Sequence, residues 1–221
     1  MYLTRFVVNT ARRGARKLLS SPQAMHAAVL AGFAEPPSGA AGRVLWRIDH
    51  TPPSRTLLYL TSPVEPDLTH LVEQAGWPTT ETWQTRPYAG FLQSLTEKQE
   101  WAFRITANPV RNRIGSGSDE RTRRYGHSTV AHQQQWLLDR AERCGFRILH
   151  TEAGDPELTI HRRETLTFPR NGNTVTLRVA TYDGRLEVVD ADRLRAALSN
   201  GIGHAKAYGC GLMTLAPAGR P

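Results

Sequence analysis

Period-two alternation of apolar and polar side chains marks the strands in the first half of the chain. These strands are predicted at 2–8, 44–48 and 57–60, with a weaker extended segment at 82–92. Helical patterns lie between them. One helix begins at Ser21 and Pro22, which suit the N-cap and the first helical position. Another begins at Pro66 and ends at Gly76, so we expect the order strand, helix, strand, strand, helix, strand.

The second half repeats this order. Strands are predicted at 101–110, 146–150 and 212–215, and helices at 130–144 and 191–199. A polar segment rich in glycine, serine and arginine, 111–126, is predicted to be a loop. Asn171-Gly172 and Asp183-Gly184 each indicate a hairpin turn.

Two consecutive βαββαβ units predict an α+β fold of two tandem ferredoxin-like domains with antiparallel sheets. The division is predicted between residues 95 and 96, giving domains 1–95 and 96–221. The second domain carries an additional β-hairpin around Asn171 and a C-terminal glycine-rich loop. This fold hosts many activities, so the chemistry has to come from particular side chains.

The charge of the chain indicates a polyanionic partner. Its 221 residues carry a formal net charge of +8. The first 34 residues contain five basic side chains and no acidic one, and no acidic side chain follows Asp192. If the two ends meet in space, they form one basic face. The longest apolar stretch, 27–34, is far too short to cross a bilayer, so no membrane partner is expected.

The segment Gly201–Gly211 pairs two Gly-x-Gly doublets around Lys206. Glycine permits positive φ and close approach of another backbone, so this path is shaped for contact, and a phosphate is the expected ligand. The segment matches neither the dinucleotide fingerprint, because Lys206 stands where a third glycine would fall, nor a Walker loop.

Histidines are the best candidates for catalysis, because no His-Glu-x-x-His or Asp-x-Asp motif occurs and no metal or other cofactor is expected. His26 follows Pro22 by about one turn and lies near the apolar stripe of its helix. It is therefore either a core histidine or, beside the basic N-terminal stretch, a proton-transfer group. His204, inside the glycine-rich loop, could transfer a proton or bond to a phosphate.

Arginine clusters are the candidate contacts to a phosphate backbone. They lie in the 111–126 loop, in the extended segment at Arg162 and Arg163, and at the predicted hairpin tip, Arg170. An arginine-bearing β-ribbon can enter a nucleic-acid groove, although exposed arginines on a hairpin are also common in proteins without such a partner.

These features together resemble the CRISPR-associated CasE family. The resemblance rests on His26 after Ser-Pro, on Phe103-Arg104-Ile105-Thr106-Ala107-Asn108-Pro109, on Gly126-His127-Ser128, on the Gln135-Trp136-Leu137-Leu138 helix and on the glycine-rich loop. It covers essentially the whole chain.

The resemblance implies a metal-independent endoribonuclease that processes CRISPR repeat RNA. Such an enzyme binds the repeat stem-loop and cuts pre-crRNA at the 3′ base of the stem. The 2′-OH attacks, leaving a 2′,3′-cyclic phosphate and a 5′-OH. His26 matches the catalytic histidine of the family. Some members carry a tyrosine three residues earlier, where this chain has Gln23. Either another group, such as Arg162 or Arg163, assists His26, or positioning carries more of the rate.

The implied partners are repeat RNA and the other subunits of the Cascade complex, in the cytoplasm. We expect RNA contacts from Arg12, Arg13, Gln23, Arg111, Arg121, Arg123, Arg124, Arg162, Arg163, Arg170, Gly201, Gly203, His204, Lys206, Gly209 and Gly211. Two alternatives stay open. One is a non-catalytic RNA-binding subunit with a structural His26, and the other is a pair of small-molecule-binding regulatory domains.

Overall fold

The computed structural model describes residues 1–35, 37, 42–51, 55–80, 82–113, 123–170 and 172–218. The side chains at 112, 113 and 123–125 are not described. Arg121 therefore lies outside the described residues, as do the side chains of Arg123 and Arg124. No helix in the described ranges is long and apolar enough to cross a membrane.

The first half forms a four-stranded antiparallel sheet with helices on one face. Its elements are β1 (Tyr2–Val8), α1 (Arg13–Ser20), α2 (Pro22–Leu30), β2 (Leu45–Thr51), β3 (Arg55–Ser62), α3 (Thr69–Ala75) and β4 (Trp83–Pro87). The strand order is β2-β3-β1-β4. Phe6 and Val8 of β1 and Leu58 and Leu60 of β3 alternate into the core, where the helices cover them.

The second half repeats this topology with insertions. Its elements are α4 (Ala89–Ser94), β5 (Glu100–Ala107), β6 (Val110–Arg113), β7 (Arg123–Gly126), α5 (Val130–Ala141), β8 (Phe146–Ile148), β9 (Leu158–Arg170), β10 (Asn173–Val188), α6 (Ala191–Asn200) and β11 (Met213–Pro217). The sheet order is β11-β5-β10-β8, and β9 pairs with β10. When the inserted strands β6, β7 and β9 are set aside and the other strands are numbered within each half, both sheets have the strand order second, third, first, fourth. This order confirms the predicted pair of ferredoxin-like units.

The predicted additional hairpin is the long β9–β10 ribbon. Arg170 pairs with Asn173 across its turn, and Asn171 lies outside the described residues. The second predicted turn, at Asp183-Gly184, is wrong, because β10 continues through both residues. A Cβ on Gly184 would lie 2.4 Å from the carbonyl oxygen of Glu157, so this glycine serves a close approach of backbone.

The structure differs from the sequence prediction at four other places. Helix α1 was not predicted; it follows directly on β1 and packs on α2. The segment 82–92 is extended only over β4 and then turns into α4. The predicted loop 111–126 begins and ends as a hairpin, since Val110–Arg113 pairs with Arg123–Gly126. Helix α3 also begins at Thr69, three residues after Pro66.

The division between residues 95 and 96 stays a prediction. The chain passes from the first sheet to the second between β4 and β5. Leu92 and Leu95, in and just after α4, are buried in the core of the second half. Helix α4 therefore packs with the second half, although it precedes the predicted boundary.

A buried arginine joins the two halves. Arg47 of β2 is 1% exposed. It donates to both carboxylate oxygens of Asp49, at 2.7 and 2.9 Å. Its remaining bonds reach the second half, at the carbonyl oxygens of Arg104 and Leu212 and the hydroxyl of Thr214. Every N–H direction of the guanidinium is thus used, and the first sheet is bonded to the strands behind it.

Candidate active site and nucleic-acid interface

Helix α2 holds His26 at the edge of the first core. The Ser21 hydroxyl accepts a hydrogen bond from the Ala24 amide (3.2 Å), and Pro22 opens the helix, as the sequence predicted. Met25 and Val29 turn into the core, whereas His26 is half-buried. Since its ring is not enclosed in the core, the interpretation of His26 as a purely core residue loses support.

Trp46 of β2 determines which ring nitrogen of the neutral His26 carries the proton. Its buried indole Nε1 donates to Nδ1 of His26 at 3.4 Å. A ring nitrogen that accepts a hydrogen bond carries no proton, so the neutral imidazole holds its proton on Nε2. The distance is long for an N–H···N bond, and the contact is correspondingly easy to break.

Arg43 and Lys206 bring positive charge to the same place. Burial, and then the Arg43 guanidinium, lower the pKa of His26 below its ordinary value. Burial and Arg43 likewise lower the pKa of Lys206. One exposed arginine thus acts on both groups. Among the described residues, no three His, Cys, Asp or Glu side chains are grouped so that they could hold a metal ion.

The glycine-rich loop places Lys206 beside α2. Its 3-10 turn, Lys206–Tyr208, contacts α2 and β2, so segments near the two ends of the chain meet. Gly209 has φ 79°, and a Cβ there would lie 2.7 Å from the Trp46 ring. Gly201 and Gly203 have positive φ as well and lie as closely on Leu45 and Trp136. The glycines therefore permit packing of the loop on the protein.

This packing corrects the expected role of two of the four glycines. Gly209 and Gly211 are buried and present no surface to a phosphate. The amide of Gly211 donates to the carbonyl oxygen of Thr106 at 2.8 Å, which fixes the loop to β5. Gly201 and Gly203 are half-buried, and His204 is exposed.

A cavity of about 140 Å³ lies beside α2, where the two halves face each other. It is lined on one side by α1, α2 and β2, and on the other by the β9–β10 ribbon and Tyr208. Arg162 and Glu164, which are hydrogen-bonded to each other, form part of its wall together with His50. Burial, followed by Arg162, lowers the pKa of His50. Arg162 thus lines the same cavity as Pro22 and Met25 of α2.

The other arginines of the ribbon differ in how far they are engaged. Arg163 donates to the side-chain oxygen of Gln133 (2.9 Å) and to the carbonyl oxygen of Ser128, so it ties the ribbon to α5. The Arg170 guanidinium lies 5.8 Å from the centroid of the Tyr208 ring. It is exposed, and it lines a groove with Arg178 and His204.

Of the N-terminal arginines, Arg12 has a structural role, because it donates to the carbonyl oxygens of Val72 and Gly76 at the end of α3. Arg13 is exposed on α1, and Gln23 is exposed on α2. In the second half, Arg111 is exposed on β6.

Sequence reasoning missed Arg43 and Trp46 as parts of the site. Trp46 was assigned to the core, which is where most of its ring lies. Arg43 precedes β2 in a segment without any pattern, and no local signal connects it to His26. Both are brought to α2 by pairing of β2 with β3, a contact that local periodicity does not specify.

Comparison with known proteins agrees with this geometry. Residues 1–217 match the model of a family described as CRISPR associated protein. The CRISPR-associated endoribonuclease Cse3 of Thermus thermophilus is 32% identical over 228 aligned positions, which cover 98% of this chain and all of that protein. The Cascade subunit CasE of Escherichia coli is 27% identical over 117 positions, covering 52% of this chain and 57% of that protein.

A solved structure of Thermus thermophilus Cse3, bound to an RNA that represents a pre-cleavage complex, superposes with a TM-score of 0.79. It is 31% identical, and 98% of each chain is covered. Identity of this extent, over nearly the full length of both chains, confirms the resemblance drawn from the motifs. The chain belongs to the CRISPR-associated endoribonuclease family that includes Cse3 and CasE.

Proposed function

We propose that this protein is a metal-independent endoribonuclease that binds the stem-loop of CRISPR repeat RNA and cuts it at the 3′ base of the stem. One observation carries the proposal: the 3-10 turn that carries Lys206 contacts the helix that carries His26, beside a cavity between the two halves, and Arg43 adds to burial in lowering the pKa of both side chains. Membership of a family whose members include a named endoribonuclease, solved with RNA, supports it.

The reaction needs one proton removed and one supplied. The ribose 2′-oxygen attacks the adjacent phosphorus and loses its proton, while the bond from phosphorus to the 5′-oxygen breaks and that oxygen gains a proton. The products are a 2′,3′-cyclic phosphate and a 5′-OH. A positioned imidazole contributes roughly 10²- to 10⁴-fold to such transfers. DNA is not a substrate, because it lacks the nucleophile.

His26 is the proton-transfer group. With Trp46 bonded to Nδ1, the neutral ring presents Nε2–H, which donates a hydrogen bond to an oxygen of the scissile phosphate. Proton transfer at Nε2 requires a proton on Nδ1, and the Trp46 bond must then be released. The 3.4 Å separation makes that release easy. RNA binding thus turns a histidine that rests in its neutral form into a working acid or base.

Arg43 and Lys206 stabilise the charge that develops on the phosphorane oxygens. In the free protein, Arg43 adds to the effect of burial in lowering the pKa values of both Lys206 and His26, so it repels the positive charge on each of them. A bound phosphate relieves this repulsion. The two cations therefore favour the transition state, in which the phosphate carries the most negative charge.

Gln23 has a positioning role in this scheme. It is exposed one turn before His26 on the same helix, so both side chains reach the same side of α2. An amide can orient the 2′-OH but does not titrate, so cleavage is slow compared with an enzyme that has a second acid in this place. Single turnover suffices, since the product stays bound as the protein joins the Cascade complex in the cytoplasm.

The RNA-binding surface combines exposed and half-buried residues of both halves, most of them basic. We assign contacts to Arg13, Gln23, Arg111, Arg162, Arg170, Gly201, Gly203, His204 and Lys206, and retain Arg121, Arg123 and Arg124 from the sequence alone. Arg12 and Arg163 already serve the fold and support this surface from behind. Because most contacts reach phosphates, affinity falls steeply with salt.

The proposal is tested by cleavage of a repeat hairpin RNA in EDTA by wild type, His26→Ala and His150→Ala. His150 is an exposed histidine lining a different cavity and serves as the control. We expect wild type and His150→Ala to cut, and His26→Ala to bind without cutting. RNA with a 2′-deoxy scissile nucleotide should resist every protein. Tight binding with no cleavage by wild type would instead favour the non-catalytic subunit.

A further inference from the structure

A second group of basic side chains surrounds a cavity of about 330 Å³ on the second half. The cavity lies between β6, the beginning of α5 and the glycine-rich loop, and the catalytic scheme uses none of its central residues. Its lining includes Arg111, His127, His132, Arg140 and His204. We call the first four of these residues the histidine pocket.

Backbone contacts hold the two central histidines in place. The amide of His127 donates to the carbonyl oxygen of Pro109 at 2.8 Å, and its own carbonyl oxygen accepts from the Gln133 side chain at 2.9 Å. His132 lies in the first turn of α5, where its amide donates to the Thr129 hydroxyl. The two imidazole rings are 5.6 Å apart, centroid to centroid.

The charges facing His127 are mostly positive. Burial lowers its pKa first, followed by His132, Arg111 and Arg140, while Asp139 alone acts in the opposite direction. The Asp139 carboxylate accepts a hydrogen bond from Gln135 at 2.7 Å and is exposed. The positive charges around the pocket therefore outnumber the negative ones.

Arg140 adds a further donor to the wall of the cavity, beside Trp136. The half-buried Arg140 donates to the Trp136 carbonyl oxygen at 2.8 Å, and its guanidinium lies 4.2 Å from the centroid of the indole ring. Burial and the neighbouring Arg143 lower its pKa. The indole Nε1 of Trp136 is buried and, within the described part of the chain, has no hydrogen-bond acceptor. A buried donor without an acceptor is costly.

We propose that the histidine pocket binds a phosphate of the RNA backbone, and that His127 takes up a proton as the RNA binds. The proposal rests on the proposed function and names a second contact, apart from the scissile phosphate. An imidazolium donates from both ring nitrogens, and an RNA phosphate supplies the missing negative charge. With two rings 5.6 Å apart, one imidazolium and one neutral ring can contact the same anion.

The direction of the pH effect follows from the charges. In the free protein, burial and then the surrounding cations lower the pKa of His127 and disfavour its charged form. A phosphate in the pocket favours the imidazolium and raises its pKa. By reciprocity, protonation strengthens RNA binding, so affinity rises as the pH falls from 8 to 5.5.

The test measures dissociation constants for a repeat hairpin RNA carrying a 2′-deoxy scissile nucleotide, so that no cleavage occurs. Wild type, His127→Gln/His132→Gln and His150→Gln are compared at pH 5.5 and 8. We expect wild type and His150→Gln to gain about tenfold more affinity on acidification than the double variant. That is the contribution of roughly one charge-assisted hydrogen bond. The double variant should also lose about one contact from the salt dependence at pH 5.5.

A second readout follows the pocket itself. The indole N–H resonance of Trp136, assigned with Trp136→Phe, should shift when RNA is added to wild type. Equal pH dependence in wild type and the double variant, with RNA still bound, would overturn this inference and leave the proposed nuclease standing. Failure of every protein to bind the RNA would overturn both.

Discussion

Trp46 donates its indole N–H to Nδ1 of His26 across 3.4 Å, so the group proposed to move protons rests against a donor that opposes its protonation. This bond and the partial burial of the ring both favour the neutral imidazole. In Trp46→Phe the opposing donor is lost, and we expect the pKa of His26 to rise. The measurement is an NMR titration of the His26 ring protons.

Trp77→Phe is the matched control for that titration, because Trp77 is 43% exposed and remote from the bond to His26. Its His26 pKa should equal that of wild type. An unchanged pKa in Trp46→Phe would show that the 3.4 Å contact has no energetic weight.

Arg43 should influence both the acidity of His26 and the rate of cleavage. After burial, the guanidinium lowers the pKa of His26, so Arg43→Gln should raise that pKa and move the limb of the pH–rate profile that reports His26 to higher pH. The same change removes a cation from the phosphorane, and single-turnover cleavage should fall by about tenfold or more. Arg55→Gln, an exposed arginine on β3, should match wild type in both respects. A shifted profile with an unchanged maximal rate would remove Arg43 from transition-state stabilisation.

Gly209→Ala should damage the loop that carries Lys206. The backbone at this position has φ 79°, which is unfavourable for alanine, and the added Cβ would lie 2.7 Å from the Trp46 ring. The first effect costs about 1–2 kcal/mol and the second about 1–3 kcal/mol of unfolding free energy. Gly154→Ala isolates the first effect, because Gly154 has φ 86° and no atom of the described residues lies within 4 Å of the position that its new methyl group would take.

Chemical denaturation of these two alanine variants, compared with wild type, measures the difference. Gly209→Ala should be the less stable variant and should also cleave more slowly. Equal stability of the two would mean that the loop moves away from Trp46 without loss.

Arg47→Met should be the most destabilising of these substitutions. It removes both short hydrogen bonds to the buried Asp49 carboxylate and leaves the 3.8 Å ion pair with Arg104, and loss of one member of a buried pair costs about 3–5 kcal/mol. Arg147→Met breaks an ion pair whose arginine is 66% exposed, and should cost about 1 kcal/mol or less. Urea unfolding followed by tryptophan fluorescence provides both values. Similar losses in the two variants would argue against the contribution assigned to the Arg47 bonds.

Local sequence signals predicted most of the fold, and the exceptions have physical causes. Ser21-Pro22 and the apolar stripe fixed α2 because N-caps act through neighbouring residues. Asp183-Gly184 has the composition of a turn, but Arg104 bonds to Asp183 across strands and Gly184 meets the Glu157 backbone, so tertiary contacts extend β10. Helix α1 was not predicted because its basic residues were interpreted only as charge. Ala15 and Leu18 form its buried face.

The candidate site was predictable only in part. His26 was identified through its motif context and Lys206 through its glycine setting. Their proximity to Arg43, and the bond from Trp46, depend on how β2 pairs and on where the C-terminal loop lies, and a one-dimensional pattern contains neither. The glycines were singled out correctly as a feature, but Gly209 and Gly211 face protein where a ligand was expected.

The bonds of Arg47 to the Leu212 and Arg104 carbonyl oxygens also affect the conformational entropy of the two halves relative to each other. We expect this entropy to be lost during folding and not during RNA binding. Hinged separation of the halves would leave a desolvated cation without its acceptors and is therefore costly, so we expect the two halves to be held together from folding onwards. An incoming hairpin should then spend little of its binding energy on ordering the two halves. We then expect discrimination between repeats to depend on which stem shape fits the surface formed by the two halves. Repeats that require the two halves to separate should bind weakly.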